Sequence, residues 1–290
     1  MEGAVMDDKS AGRRGGWRSR AVASGAAAVV LLGGCSAGAT DRAAAPGGKA
    51  SGSSAPSASA SGKGPAAGGE PSPAPSVTPF AADPDRVPRS RREGAALAAK
   101  VAMRPKDWGA GFRAQPLARS AAGTMAVLDE ECRWQRRAQP AGVLGSLSRY
   151  SELPGDKKRG TVKVTATVTV HTTLLGADDQ LSEMLEEALR CPEQQVRADE
   201  RIAKLMSVGT PRGTRGNNYA DDSIVETGVY LTGSSEARYR WMVTRLGPVT
   251  LTVSFKGAEG WADADLEPYV TRGTITMLDR AAYELGGGEK

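Results

Sequence analysis

One histidine, His171, and three cysteines, Cys35, Cys132 and Cys191, are all that 290 residues provide. A single histidine excludes a His-Glu-x-x-His metal helix, and with two distant cysteines it makes a poor zinc set. A Ser-His-Asp site would have to use His171, but no Gly-x-Ser-x-Gly elbow supplies the nucleophile. His171 ends the polar face of a long strand and reads as an exposed strand-end residue. Walker A and dinucleotide loops are missing, as is a calcium loop. No metal and no cofactor is therefore expected. A surplus of charge is missing too. The formal net charge is +5, and residues 1–34 carry five bases and three acids, leaving 33 bases against 30 acids. That is no basic stripe, and no nucleic-acid partner is expected.

What charge there is at the front forms a targeting pattern. Lys9, Arg13, Arg14, Arg18 and Arg20 precede the uncharged stretch Ala21–Leu32, which ends in Val29, Val30, Leu31 and Leu32. Its 12 residues span about 18 Å as a helix, too short for a bilayer core of ~30 Å. A basic segment, a short apolar segment and small residues at the cut make an export signal. Leu32-Gly33-Gly34-Cys35 resembles the bacterial lipobox. The resemblance implies lipidation of the Cys35 sulfur, cleavage before Cys35, and a lipid anchor, palmitate among its acyl chains, at the outer face of the cell membrane. Residues 1–34 are then the signal peptide of a lipoprotein.

From Ser36 to Ser76, 35 of 41 residues are Ala, Gly, Ser or Pro. No side chain there can offset the entropy of ordering, so 35–89 is expected to be a lipid-anchored disordered linker. As a coil the 41 residues reach roughly 35 Å.

Residues 90–290 are expected to form one extracytoplasmic domain. Ala95–Met103 reads as a short helix stopped by Pro105, followed by a loop anchored by Trp108 and Phe112. Met125–Arg137 gives no decisive period, and Val143–Leu153 reads as a strand. Over Thr161–Thr173, Val162, Val164, Ala166, Val168 and Val170 alternate with Thr, Lys and His, a strand with one buried and one polar face. Leu181, Met184, Leu185, Ala188 and Leu189 make one helical stripe, with Asp178 or Asp179 suited to cap it and Pro192 to end it. Ile202, Leu205 and Met206 would suit another short helix. Ile224–Leu231, Arg238–Arg245 and Val249–Lys256 read as strands joined by tight turns, and Asp265–Leu285 as a closing helix. The order predicts an α+β fold, an antiparallel sheet with helices packed on one face.

With Cys35 assigned to the membrane, Cys132 and Cys191 are left as one pair, and outside the cell a disulfide between them is expected. The carboxylate pairs Asp178/Asp179, Asp221/Asp222 and Asp263/Asp265 carry no catalytic spacing, and the first and last sit where capping accounts for them. The loop Gly209-Thr210-Pro211-Arg212-Gly213-Thr214-Arg215-Gly216-Asn217-Asn218-Tyr219 offers Arg212, Arg215 and Tyr219 as contacts for an anionic or sugar-like ligand. Tyr239 and Trp241 alternate on one strand face and read as core.

The lipobox, the tether, the cysteines on either side of a long strand and helix, and the ending Tyr239-Arg240-Trp241-Met242-Val243-Thr244-Arg245-Leu246-Gly247-Pro248-Val249-Thr250-Leu251 before a long helix resemble actinobacterial lipoproteins. These are similar to the extracellular sensor domain of PknH-type Ser/Thr kinases. The resemblance covers about residues 90–285. It implies a disulfide-stapled α+β domain with a ligand-binding cleft. The chain departs from that family in having one candidate disulfide where the kinase sensors have two, and in carrying no kinase. A non-catalytic, membrane-anchored module binding a small envelope ligand or an envelope protein is the expected function. A cell-wall-polymer hydrolase is the alternative, and a structural envelope lipoprotein the second.

Overall fold

Period-two alternation builds the middle of the domain. In β5 (Val162–His171) the residues Val162, Val164, Ala166, Val168 and Val170 are all buried, and in β10 (Val249–Lys256) so are Val249, Leu251, Val253 and Phe255. The two strands pair antiparallel with Val249 opposite Val170 and Lys256 opposite Lys163. Their odd and even positions therefore project as continuous rows on opposite faces of the sheet. This computed structural model describes residues 79–208 and 220–286. Cys35, the signal and the Ser36–Ser76 tether lie outside the described residues, as do Arg212, Arg215 and Tyr219.

The remaining strands are β1 (Arg113–Arg119), β2 (Thr124–Leu128), β3 (Trp134–Ala138), β4 (Val143–Leu153), β6 (Gln194–Arg197), β7 (Glu200–Ser207), β8 (Asp222–Thr232) and β9 (Ser235–Leu246). Eight of the ten strands form one curled antiparallel sheet in the order β1-β4-β5-β10-β9-β8-β7-β6, while β2 and β3 make a separate hairpin. The helices are α1 (Arg91–Val101), α2 (Pro105–Trp108), α3 (Leu174–Arg190) and α4 (Asp263–Glu284).

The expected layer of helices on one sheet face is made by α1 and α4. Leu97, Ala98 and Val101 of α1 and Leu266, Val270, Met277, Leu278 and Ala281 of α4 close over the valine rows. Burying a side chain such as Met277 fully is worth about 2 kcal/mol. Close approach is built in where glycine meets the partner. A Cβ on Gly94 of α1 would lie 2.6 Å from Leu144 Cβ, and one on Gly273 of α4 would lie 2.6 Å from the Trp108 ring. Ser90 caps α1 through a capping box with Glu93.

Helix α3 lies against the other face, with Leu181 and Ala188 packed on Ile202, Ile224, Trp241 and Val243. The disulfide Cys132–Cys191, with Cα atoms 5.6 Å apart, ties its C-terminal end to the β2–β3 hairpin.

Several expectations need correction. The cap of α3 is Thr173, whose hydroxyl accepts from the Gly176 N–H, and the helix begins two turns ahead of the stripe that revealed it. Asp178 instead pairs with Arg245 at 3.2 Å. The segment read as a further short helix is the hairpin β6–β7. Pairing with β8 overrides the weak helical spacing of Ile202, Leu205 and Met206. The linker does not extend to residue 89. Phe80 is already in the core, and its N–H donates to Asp221 at 2.6 Å. Met125–Arg137, which gave no decisive period, is the β2–β3 hairpin.

Candidate ligand-binding site

On the face that α3 covers, register stacks polar residues into cross-strand rows. Tyr239, Lys256, Lys163 and Glu152 form one row across β9, β10, β5 and β4. Trp241, Ser254, Thr165 and Tyr150 form the next, followed by Val243, Thr252, Thr167 and Ser148, and then by Arg245, Thr250, Thr169 and Ser146. Small hydroxyl side chains leave room above the sheet. The space is a cavity of about 280 Å³, near the lower end of the ~300–1,000 Å³ of small-molecule sites. Its floor runs from Lys163 to Thr169, about 20 Å at the rise of a strand.

The roof comes from elements distant in sequence. Gln180 and Met184 of α3, Ala126 and Trp134 of the hairpin, and Val196 and Ile202 of β6–β7 line it. The Trp134 ring meets Trp241 edge to face at 5.7 Å, and its indole N–H donates to Gln194 Oε1 at 2.8 Å. Gln194 in turn donates to the carbonyl of Cys191. The disulfide therefore fixes both backbones that orient Trp134.

The charged lining is one-sided. Arg136, Lys163, Arg197 and Lys256 border the cavity, and among the described residues no carboxylate does. Glu200 lies behind them, accepting from Lys163 at 2.7 Å and Lys256 at 3.1 Å, with Arg197 3.4 Å away. Burial disfavours the Glu200 charge, but the hydrogen bond from Lys163 and the charge of Lys256 outweigh it and hold the carboxyl down at about 2. Burial lowers the Lys256 ammonium, against the opposing pull of Glu200. Arg136 donates to Thr124 and to Ser148 Oγ, which are neutral acceptors.

His171 is buried rather than exposed, because the end of α3 folds over its strand end. It bonds Gln180 Oε1 at 2.8 Å. An amide oxygen only accepts, so Nε2 is the donor. Burial pushes the imidazole down, and the bond to Gln180 works the other way. His171 thus braces Gln180 at the cavity edge. Tyr239 and Trp241 belong to the core beside α3, as read from the sequence, and also border the cavity.

The three carboxylate pairs stay out of the cavity, and five of their six members take structural partners, Asp178 with Arg245 among them. Asp221 accepts from the backbone N–H groups of Phe80 and Gly247, which anchors the start of the domain to the β9–β10 turn. Asp222 accepts from the Ser223 N–H, Asp263 pairs with Arg238, and Asp265 accepts from the Ala262 N–H. Sequence reading missed a different acid. Glu226 on β8, opposite Trp241, is wholly buried and neither carboxylate oxygen has a hydrogen-bond partner. Burial, and then the charge of Glu187 on α3, push it up to about 8. Glu187 itself is pushed up to about 7, by burial and then by Glu183. A glutamate directly after the apolar pair Ile224-Val225 of a strand was the available signal.

No family model matches the chain, and no curated protein matches it. Among solved structures it is similar to an uncharacterised protein of Mycobacterium smegmatis, the Rv0999 ortholog, at 10% identity and a TM-score of 0.33, over 66% of this chain and 97% of that one. It is also similar to PA94, a protein of unknown function from Pseudomonas aeruginosa, at 12% identity and a TM-score of 0.26, over 53% of this chain and 94% of that one. At these TM-scores neither likeness carries an argument about the site, and the kinase-sensor resemblance rests on the sequence alone.

Proposed function

We propose that the chain is a lipoprotein anchored through Cys35, whose extracytoplasmic, sensor-like domain binds a small envelope ligand without catalysis. The observation that carries the reading is the roofed cavity over the Ser/Thr rows. A face of hydroxyl side chains ordinarily faces water. Here it is partly roofed, with aromatic side chains on one wall and cations along its border, the mixture that small-molecule sites use to combine affinity with orientation. The resemblance to kinase sensor domains supports the same reading, since a ligand cleft is what it implies.

Two measurements test the proposal on the full-length protein. Calorimetric titration with a panel of small amphiphiles should give saturable binding, and Thr167→Phe, which fills the floor, should abolish it while the folded signal persists. Absence of binding by every member would remove the ligand reading. Cys35→Ser should move the protein from the membrane fraction to the soluble fraction of a host that processes lipoproteins. Unchanged fractionation would remove the anchor.

A further inference from the structure

The ligand chemistry can be narrowed from the charge at one end of the cavity. Lys163 and Lys256 stand directly opposite each other on neighbouring strands. Like charges in that relation repel, so a pair of this kind is unfavourable unless something offsets it. Glu200 offsets only part: three cations, Lys163, Lys256 and Arg197, share its one carboxylate. Glu152, opposite Lys163 on β4, is itself paired with Arg113 at 2.9 Å, so the end of the cavity is left with two positive charges in excess. Exposure does little for the two lysines, whose side chains are 12% (Lys256) and 28% (Lys163) exposed, although Arg197 is half-exposed and the Tyr230 ring, 5.1 Å from Lys256 and 6.0 Å from Lys163, offsets a further part. A buried cation is costly unless it is paired and hydrogen-bonded. Each ammonium has three N–H donors. Lys256 uses one on Glu200, and Lys163 uses two, on Glu200 and Tyr230. Donors and charge alike remain for an anion, and no carboxylate in the cavity wall competes for them.

The rest of the cavity has a different character. Away from the lysines the floor is neutral hydroxyls, with Arg136 spending its donors on Ser148 and Thr124, and Trp134, Trp241, Met184 and Ile202 supply apolar contact. Building on the reading of this cavity as a ligand site, we propose that it takes a small amphipathic anion. A carboxylate or phosphate monoester binds at Lys163, Lys256 and Arg197, and one short apolar body lies along the Ser/Thr floor against Trp134 and Trp241.

The test is calorimetric titration of the full-length protein with four octyl compounds that differ only in the head: octanoate, octyl phosphate, octanol and octyltrimethylammonium. Both anions should bind about tenfold or more tighter than octanol at about 0.05 M salt, and the margin should shrink at about 0.5 M. Whichever anion binds tighter identifies the head group as carboxylate or phosphate. Lys163→Gln/Lys256→Gln/Glu200→Gln, which removes both ammoniums together with their carboxylate and leaves the Arg197 charge, should cut most of the preference for anions while octanol binding persists. Arg197→Gln, at a half-exposed position, should reduce it without disturbing the fold. Should the triple variant not fold, Arg197→Gln and the salt series decide. Octanol binding as tightly as the anions, or the ammonium compound binding best, overturns the anion assignment and leaves the cavity as a ligand site. No binding by any of the four overturns both.

Discussion

Replacing Glu226 with Gln should stabilise the domain at neutral and alkaline pH, although the change removes a native side chain from the interior. Glu226 is buried beneath α3 with neither oxygen hydrogen-bonded, and its carboxyl titrates at about 8 against an ordinary 4.5. The folded protein therefore keeps a proton that the unfolded chain gives up. Stability from this group is complete below about pH 4.5 and is lost as pH rises through about 8. At 1.36 kcal/mol for each pH unit between the two values, the loss tends to about 5 kcal/mol above pH 8 and is about 3 kcal/mol at pH 7. Glutamine copies the shape of the protonated acid and cannot ionise, so Glu226→Gln should flatten this limb. The assay is urea unfolding of both proteins at pH 5, 7 and 9. The curves should nearly coincide at pH 5 and separate progressively above it, with wild type the weaker. Glu187→Gln, which removes the neighbouring charge, should flatten the limb in part. Equal pH dependence in wild type and Glu226→Gln would refute the reasoning.

Other perturbations follow from neighbouring contacts. Cys132→Ala/Cys191→Ala opens a closure of 59 residues, worth ~4 kcal/mol in the chain-entropy model. Thermal unfolding should show a fall of roughly 10 °C. Glu200→Gln leaves Lys163 and Lys256 facing each other without a carboxylate, so denaturant unfolding should report a loss of ~3–5 kcal/mol. Because the Glu200 carboxyl sits at about 2, wild type should also lose stability as pH falls from about 4.5 towards 2, a limb that Glu200→Gln should lack in a pH series. Gly273→Ala drives a methyl into the Trp108 ring and should cost ~1–3 kcal/mol, seen as a lower midpoint in urea.

The sheet was largely legible because its signal is local. β4, β5, β9 and β10 each show their alternation within a dozen residues, and α4 its stripe within about four turns. Where the signal was not local, the reading failed for a physical reason. β6 and β7 lack strong alternation; β7 owes its state to pairing with β8, whose residues come from a later part of the chain, and β6 to pairing with β7. The start of α3 carries exposed Leu174 and Leu175 rather than a stripe, so the cap at Thr173 was overlooked in favour of Asp178 and Asp179. His171 was read as exposed because a strand end next to polar residues usually is. What buries it is Gln180, on the helix that folds back over it. The polar faces of β5 and β10 were visible as such. That they are roofed could not be read from them, since the roof belongs to α3, the hairpin and β6–β7.

The same distinction governs the charge of the site. Beyond residue 34 the chain holds 33 bases and 30 acids, a balance that points to no partner. Folding sorts them. Arg136 comes from β3, Lys163 from β5, Arg197 from β6 and Lys256 from β10, and all four border one cavity. Glu183, Glu186 and Glu187 collect instead on α3 beside a neighbouring hollow. No window of sequence contains two of the four cations close together, so no scan for basic patches would find them. The nearest approach to a signal is that the polar alternations of β5 and β10 each include a lysine, Lys163 and Lys256. Antiparallel pairing of the two strands over their full length brings those lysines face to face. A sign of charge that is absent from composition can thus be specified by register. The apolar alternation that sets that register is the same pattern that buries the valines on the opposite face.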